Sequence, residues 1–316
     1  MSSLEAQTPT DSQRIVVVVG ATATGKTSLA LRLVAELGGE VVSVDSRQVY
    51  RHMDIGTAKP SRQARDKVRH HLIDVADPDE TYSLALFVRE AREVISAILA
   101  RRAVPIVAGG TGQYVWALLE GWQVPEVPPD TALRETLESR AESDGGDALY
   151  EELARLDPTA AERIDSRNVR RVIRAMEVHH AKPRHADSHT RQAPGFEALI
   201  IGLDLGRQDL YARINRRVDE MVEEGLLAEV EGLLDRGYGP QLPSMSSLGY
   251  REFGRYLAGE MSLDEAVIQI KTRTRRFARR QHAWFRPADQ RISWFEASDE
   301  GFDSASEAAK AFLARS

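Results

Sequence analysis

The sequence predicts an α/β fold, a parallel sheet flanked by helices, with an α-helical insertion and a helical carboxyl-terminal part. Three observations predict it. An unbroken β-branched run, Ile15 to Val19, leads into GATATGKT, Gly20 to Thr27, and that octet opens a helix. A second apolar run, Val41 to Val44, follows the helix, and a third, Val104 to Ala108, follows a long amphipathic segment. Continuous apolar strands alternating with helices are the pattern of a parallel sheet covered on both faces. At 316 residues the chain has room for one large core and a smaller inserted part.

The octet is a phosphate-binding loop of the P-loop NTPase kind. Gly20 and Gly25 permit backbone torsions that a side chain would block, so successive amide N–H groups can point at phosphate oxygens. Lys26 brings a positive charge, and the helix N-terminus behind it adds a partial one. The Thr27 hydroxyl is placed to ligate Mg2+. The expected phosphate-binding residues are therefore Gly20, Ala21, Thr22, Ala23, Thr24, Gly25, Lys26 and Thr27, with Thr27 the expected metal ligand.

Along the chain, residues 1–13 read as a disordered leader and residues 14–121 as the first part of the core. The helix from Lys26 to Leu37 puts Leu29, Leu33, Val34 and Leu37 on one face and stops at Gly38-Gly39. The strand Val41 to Val44 ends at Asp45 and reads as the neighbour of the phosphate-loop strand. Polar residues from Asp45 to Pro60 form a loop over the site, and His70 to Val75 a short strand. Between Ser83 and Arg102 the apolar positions follow helical spacing. The strand Val104 to Ala108 runs into a second glycine-rich turn, Gly109-Gly110-Thr111-Gly112.

Past Gly121 the composition changes. Pro125, Pro128 and Pro129 break the chain, and residues 122–167 read as a helical insertion with short helices near Thr131–Glu142, Ala148–Leu156 and Pro158–Ile164. Residues 168–295 are expected to complete the core. They comprise a helix Asn168 to His180, a polar linker, a strand Ala198 to Leu203, one long helix from Asp209 to Arg236, and a basic helix starting at Ser262. Residues 296–316 read as a tail.

Composition narrows the function. Apolar content of 42% and charged content of 28% are those of a globular protein, and no cysteine is present to form disulfides or thiolate metal sites. No apolar run approaches the ~18 residues of a membrane span, and the first residues lack an apolar signal core, so a cytoplasmic protein is expected. The net charge of −6 argues against a polyanion-binding surface overall. Yet from Ala266 to Ala288 there is no acid, while Lys271, Arg273, Arg275, Arg276, Arg279, Arg280 and Arg286 lie among Phe277, Trp284 and Phe285. A charge run is often only a solvated face. Interleaved aromatics favour contacts to a phosphate backbone and stacking on splayed bases. Arg170, Arg171 and Arg174 form a second basic patch. His179, His180, His185 and His189 show no metal-site spacing and read as exposed polar residues.

Asp45 has several readings: a general base, a turn cap, or an outer partner of magnesium. The strand Val104 to Ala108 ends without an acid, unlike the magnesium-holding strand of hydrolytic ATPases. A phosphate loop, a base and a basic surface suit a kinase acting on a small hydroxyl, or an enzyme moving another group from its diphosphate to a nucleic acid. A nucleotide-gated RNA-binding module is a third reading. Spacing leaves these open.

From Ile15 to Arg286 the sequence closely resembles the tRNA dimethylallyltransferase (tRNA isopentenyltransferase) family. GATATGKT, VDSRQVYRHMDIGTAKP, HHLID, GGTGQY, RRVIRAMEV, LYARINRRVDEM, SLGYREF and ARRQHAWFR carry the resemblance. It implies transfer of a dimethylallyl group from its diphosphate to the exocyclic amine of the adenosine 3′ of a tRNA anticodon. Asp45 matches the family's catalytic aspartate, Lys26 and Arg217 its diphosphate-stabilising cations, and Gln48 and Thr111 positions that contact substrate. Further tRNA contacts are implied for Ser46, Arg47, Arg134, Arg170, Arg171, Arg174, Gly249, Tyr250, Arg251, Arg279, Arg280, Gln281 and Arg286. The implied partners are the tRNA anticodon stem-loop and dimethylallyl diphosphate, with Mg2+ as cofactor and a monomeric chain. The chain departs from the family's usual residues at Ala21, Thr24, Asp165-Ser166-Arg167, His180-Ala181 and His282-Ala283; Asp45, Lys26 and Thr27 are intact. The rivals are prenyl transfer to free AMP, ADP or ATP, and a P-loop small-molecule kinase.

Overall fold

The computed structural model describes residues 13–128, 130–181 and 193–315. All of the expected leader except Gln13 lies outside that range, as do His185 and His189. The chain divides into two compact units, residues 1–121 with 192–316, and residues 122–191.

The first unit is built on a six-stranded parallel sheet of order β3-β2-β4-β1-β5-β6. Strand β1 (Arg14–Gly20) is sheathed on both faces, and Ile15 to Val19 are wholly buried. Helix α1 (Lys26–Leu37) follows the phosphate loop and is closed by Gly38, whose N–H donates to Val34 O. Then come β2 (Gly39–Ser43), α2 (Arg62–Lys67) and β3 (His70–His71). The last is a two-residue strand, because the chain turns away after His71 through the left-handed residues Leu72 and Asp74. Helix α3 (Leu84–Ala100) is capped by the Ser83 side chain, and β4 (Val104–Ala108) and α4 (Gly112–Leu119) complete the first part. Strand β2 is not the neighbour of β1. Strand β4 lies between them, with Val41 and Val16 both paired in register to Ile106.

The second unit is helical: α5 (Thr131–Asp144), α6 (Gly146–Leu156), α7 (Pro158–Ala161) and α8 (Val169–Ala181). Leu137, Leu149, Leu153, Val172, Ile173 and Met176 form its own apolar core. Helix α8, expected to rejoin the sheet, therefore belongs to the insertion.

The first unit resumes with β5 (Glu197–Asp204), and the expected long helix is two, α9 (Arg207–Glu223) and α10 (Leu226–Asp235), broken at left-handed Gly225. A short 3-10 turn precedes α11 (Tyr250–Leu257), and the basic helix α12 (Leu263–Trp284) starts at a Ser262–Glu265 capping box. Residues 296–316 are no tail. Strand β6 (Ile292–Glu296) extends the sheet, and α13 (Asp299–Leu313) packs Ala305 and Ala309 into the core formed by Val16, Val18, Leu29 and Leu33. Removal of residues 299–316 is expected to lower stability by more than the ~3 kcal/mol of one large buried side chain, read as a drop in the urea midpoint; an unchanged midpoint would return this segment to the status of a tail.

Candidate active site

The carboxyl ends of β1, β4 and β2 carry, in spatial order, the phosphate loop, the glycine turn and Asp45. In the loop, Gly25 adopts φ +91°, and a Cβ there would lie 2.9 Å from the Phe302 ring of α13, so only glycine fits. The Ala21 carbonyl accepts from the Thr24 hydroxyl at 2.9 Å and from Lys26 Nζ at 2.7 Å. Lys26 is half-buried. Burial, and then the Arg217 guanidinium, pull its pKa down to about 8, against the opposing pull of Asp45. Burial likewise lowers Arg217, with Asp45 again opposing. Arg217 reaches the Thr22 hydroxyl at 3.5 Å.

Asp45 caps the turn after its strand and faces open space. Its Oδ1 accepts from Arg47 N–H at 2.8 Å, which forms the turn after β2, and the residue also lines the cavities described below. The next amide, Ser46 N–H, donates to Thr111 Oγ1 at 3.0 Å, tying this turn to the glycine turn of β4. Gln48 accepts from Ser43 Oγ at 2.9 Å, while its Nε2 donates to the Thr57 and Ala58 carbonyls at 3.3 and 3.2 Å.

Two cavities meet here. One, of about 460 Å³, is lined by the phosphate loop with Lys26, Thr27, Arg213 and Arg216. The other, of about 450 Å³, is lined by Ile214, Met221, Leu226, Phe277 and Trp284. They share Thr22, Asp45, Thr57, Ala58, Gly110 and Arg217. An anion site thus opens onto an apolar, aromatic pocket across one carboxylate and one guanidinium.

Of the residues expected at a nucleic-acid surface, Tyr250 and Gln281 are buried, and Arg134, Arg174 and Arg251 stay partly exposed while pairing within the protein. Tyr250 is buried and donates to Glu229 Oε1 at 2.6 Å. Gln281 is buried as well, both ends of its amide engaged within the protein. In the second unit Arg134 and Arg174 pair with the wholly buried Glu177 at 2.8 and 3.3 Å, and Arg174 also donates to Val127 O. Burial enforces this, because an ionised carboxylate away from water needs donors. On α12, Lys271 pairs with Asp219, Arg273 with Glu252, and Phe285 is core. Arg251 leans on Glu252 at 3.3 Å. Arg170, Arg171, Arg276, Arg279, Arg280 and Arg286 remain exposed, and Gly249 and Arg280 line the apolar pocket. His180 Nδ1 donates to Met176 O of its own helix at 2.7 Å.

Sequence reasoning missed Glu229, which lies in the segment expected to form one long helix. Its carboxylate accepts from Asp54 N–H and Ile55 N–H at 2.8 Å each, and from Gly56 N–H at 3.2 Å. Three successive amides converge on one anion, and this pins the loop that delivers Thr57 and Ala58 to the junction of the cavities. Lys59 pins the other end, its buried ammonium donating to Tyr50 O at 2.6 Å, Asp54 at 2.9 Å and Asp74 at 2.5 Å. No local signal marks either role, since both partners lie far from the loop's own pattern or within an irregular stretch.

The IPP transferase family matches residues 48–288, and the isopentenyl transferase family matches residues 13–77. A tRNA dimethylallyltransferase of Thermomicrobium roseum is 48% identical over 289 residues, covering 91% of this chain and 88% of its own length. Among solved structures, the tRNA isopentenylpyrophosphate transferase of Bacillus halodurans superposes with a TM-score of 0.70 at 41% identity, covering 96% of each chain. A eukaryotic dimethylallyltransferase acting on tRNA gives a TM-score of 0.74 at 27% identity, over 95% of this chain and 78% of its own. With the phosphate loop, Asp45 and Arg217 gathered at one set of strand ends and the match running through most of the sequence, the chain belongs to the IPP transferase family.

Proposed function

We propose that this chain transfers a dimethylallyl group from dimethylallyl diphosphate to the N6 amine of the adenosine immediately 3′ of the anticodon, position 37, in tRNAs reading codons that begin with U. The observation that carries the reading is the meeting of an anion cavity and an aromatic pocket at Asp45 and Arg217. The donor's diphosphate occupies the phosphate loop, and its allyl chain points toward the pocket. The adenine leaves its stack and enters the pocket from the other side, where Trp284 and Phe277 offer apolar faces. The N6 nitrogen attacks the allylic carbon, the N–C bond forms as the C–O bond to diphosphate breaks, and Asp45 takes the N6 proton. Lys26 and Arg217 stabilise the charge left on the diphosphate.

The donor set fits Mg2+. Thr27 and Asp45 both line the loop cavity, and among the described residues no group of three or more metal-ligating side chains is found. Such a site suits an ion held by one or two protein oxygens together with phosphate oxygens. Bound there, it would neutralise part of the charge on the leaving group.

A small-molecule kinase with ATP in the loop needs no large apolar pocket beyond Asp45, and transfer to a mononucleotide needs no exposed Arg276, Arg279 and Arg280. We propose a monomeric protein located in the cytoplasm; none of the described helices is long and apolar enough to cross a membrane.

Incubation with labelled dimethylallyl diphosphate and magnesium is expected to label an unmodified anticodon stem-loop and to leave AMP and ATP unlabelled. Label in the mononucleotides alone would overturn the tRNA reading. Asp45→Asn keeps an oxygen to accept from Arg47 N–H, so the turn survives while the proton acceptor is lost. Turnover should fall ~100-fold or more, with stem-loop and diphosphate affinities unchanged within a few-fold in direct titrations.

The half-buried Lys26 supplies a pH test. Its pKa of about 8 in the free protein rises when a diphosphate binds beside it, so binding above pH 8 takes up a proton. With the ligand's own ionisation subtracted, diphosphate affinity is expected to fall as pH rises through about 8. Calorimetry at pH 8.5 in buffers of different ionisation enthalpy would read the uptake; no uptake would remove Lys26 from contact with the anion.

A further inference from the structure

We infer that Gln281 is a positioning residue for the donor site, its buried amide latching the basic helix α12 to the phosphate loop and to the glycine turn. Arg279 and Arg280 beside it are exposed, but Gln281 retains only 4% of its surface and points inward. Its Oε1 accepts from Thr22 N–H at 2.8 Å, and its Nε2 donates to Gly110 O at 2.9 Å. The fit is close: a Cβ on Gly110 would lie 2.3 Å from Nε2. One side chain therefore joins segments that follow β1 and β4 to a helix some 170 to 260 residues further along, at separations of 171 and 259.

The two atoms it holds border both cavities. Thr22 carries the hydroxyl that meets Arg217, and Gly110 precedes Thr111, whose Oγ1 holds the turn after Asp45. Without the amide, Thr22 N–H and Gly110 O lose buried partners, and the loop is free to turn them toward water. The diphosphate then meets a loop that must first be ordered. Gln281 also borders the apolar pocket, but with 4% of its surface exposed and both amide ends engaged it offers the adenine little, and RNA on the outer face of α12 meets the same exposed arginines as before. The inference rests on the proposed function for the identity of the donor, but inorganic diphosphate tests the latch directly.

The test compares wild type with Gln281→Met, which keeps the volume and loses both hydrogen bonds, and Gln281→Asn, which keeps the amide but is one methylene short. Magnesium diphosphate and a synthetic anticodon stem-loop are titrated separately, and folding is followed by urea denaturation. Both variants should bind diphosphate roughly tenfold more weakly, the scale of one buried hydrogen bond, with stem-loop affinity within twofold of wild type. In turnover, the KM for the allylic diphosphate should rise while that for the stem-loop holds. Weakened stem-loop binding with diphosphate binding intact would make Gln281 an RNA contact and overturn the inference, as would no change in either. If Gln281→Met does not fold, Gln281→Asn carries the same comparison. Failure of label transfer in wild type would count against the proposed function and leave the diphosphate titrations standing.

Discussion

The site depends on a spacing constraint: the phosphate loop and Asp45 emerge from strands separated by a third. Strand β4 stands between β1 and β2, so a molecule spanning the loop and the carboxylate must cross the end of β4. At that crossing β4 runs into Gly109-Gly110, which packs against its neighbours at close range. A Cβ on Gly109 would lie 2.1 Å from Val44 O, and one on Gly110 would collide with Gln281. The glycine turn thus has two duties. It lets the turn lie flat against the residue that follows β2, and it admits the Gln281 amide.

The electrostatics follow from the same geometry. Lys26 and Arg217, both half-buried, are brought together with one carboxylate between two cavities. Two partly desolvated cations beside each other raise the free energy of the empty site, and an incoming anion relieves it. Their charges are oriented before the substrate arrives, so little rearrangement remains for the step in which charge develops. Glu229 and Lys59 act at a distance to the same end, each spending its charge on backbone and loop contacts that fix one wall.

Much of this was legible in the sequence. The limits of β1 and α1, the phosphate loop, the strand end at Asp45 and the basic stretch of α12 follow from apolar runs, glycine spacing and charge. Strand order was not legible, because adjacency along the chain does not determine adjacency in a sheet, and a β-strand of five residues such as β4 inserts wherever its register fits. Residues 296–316 read as a tail because β6 is short and the apolar face of α13 is made largely of alanine. The arginines and polar residues of the expected RNA surface divided on side-chain direction. Ala278, Gln281 and Phe285 recur at intervals of three and four and are all buried, so helical periodicity already placed Gln281 on the inner face while Arg279 and Arg280 fell outside it. Arg134 and Arg174 gave no such signal, since their partner Glu177 lies on a different helix from Arg134 and becomes buried only when the helices pack.

The helical unit of residues 122–191 enters the chain after α4 and leaves before β5, within a crossover between two strands. Its core is self-contained, and no strand pairing of the sheet passes through it. A crossover segment can lengthen, shorten or exchange helices without shifting any hydrogen-bonded register in the sheet it spans. The part of the molecule that divergence can rebuild most freely is therefore this one, while the ends of β1, β4 and β2 that hold the chemistry stay where the sheet puts them.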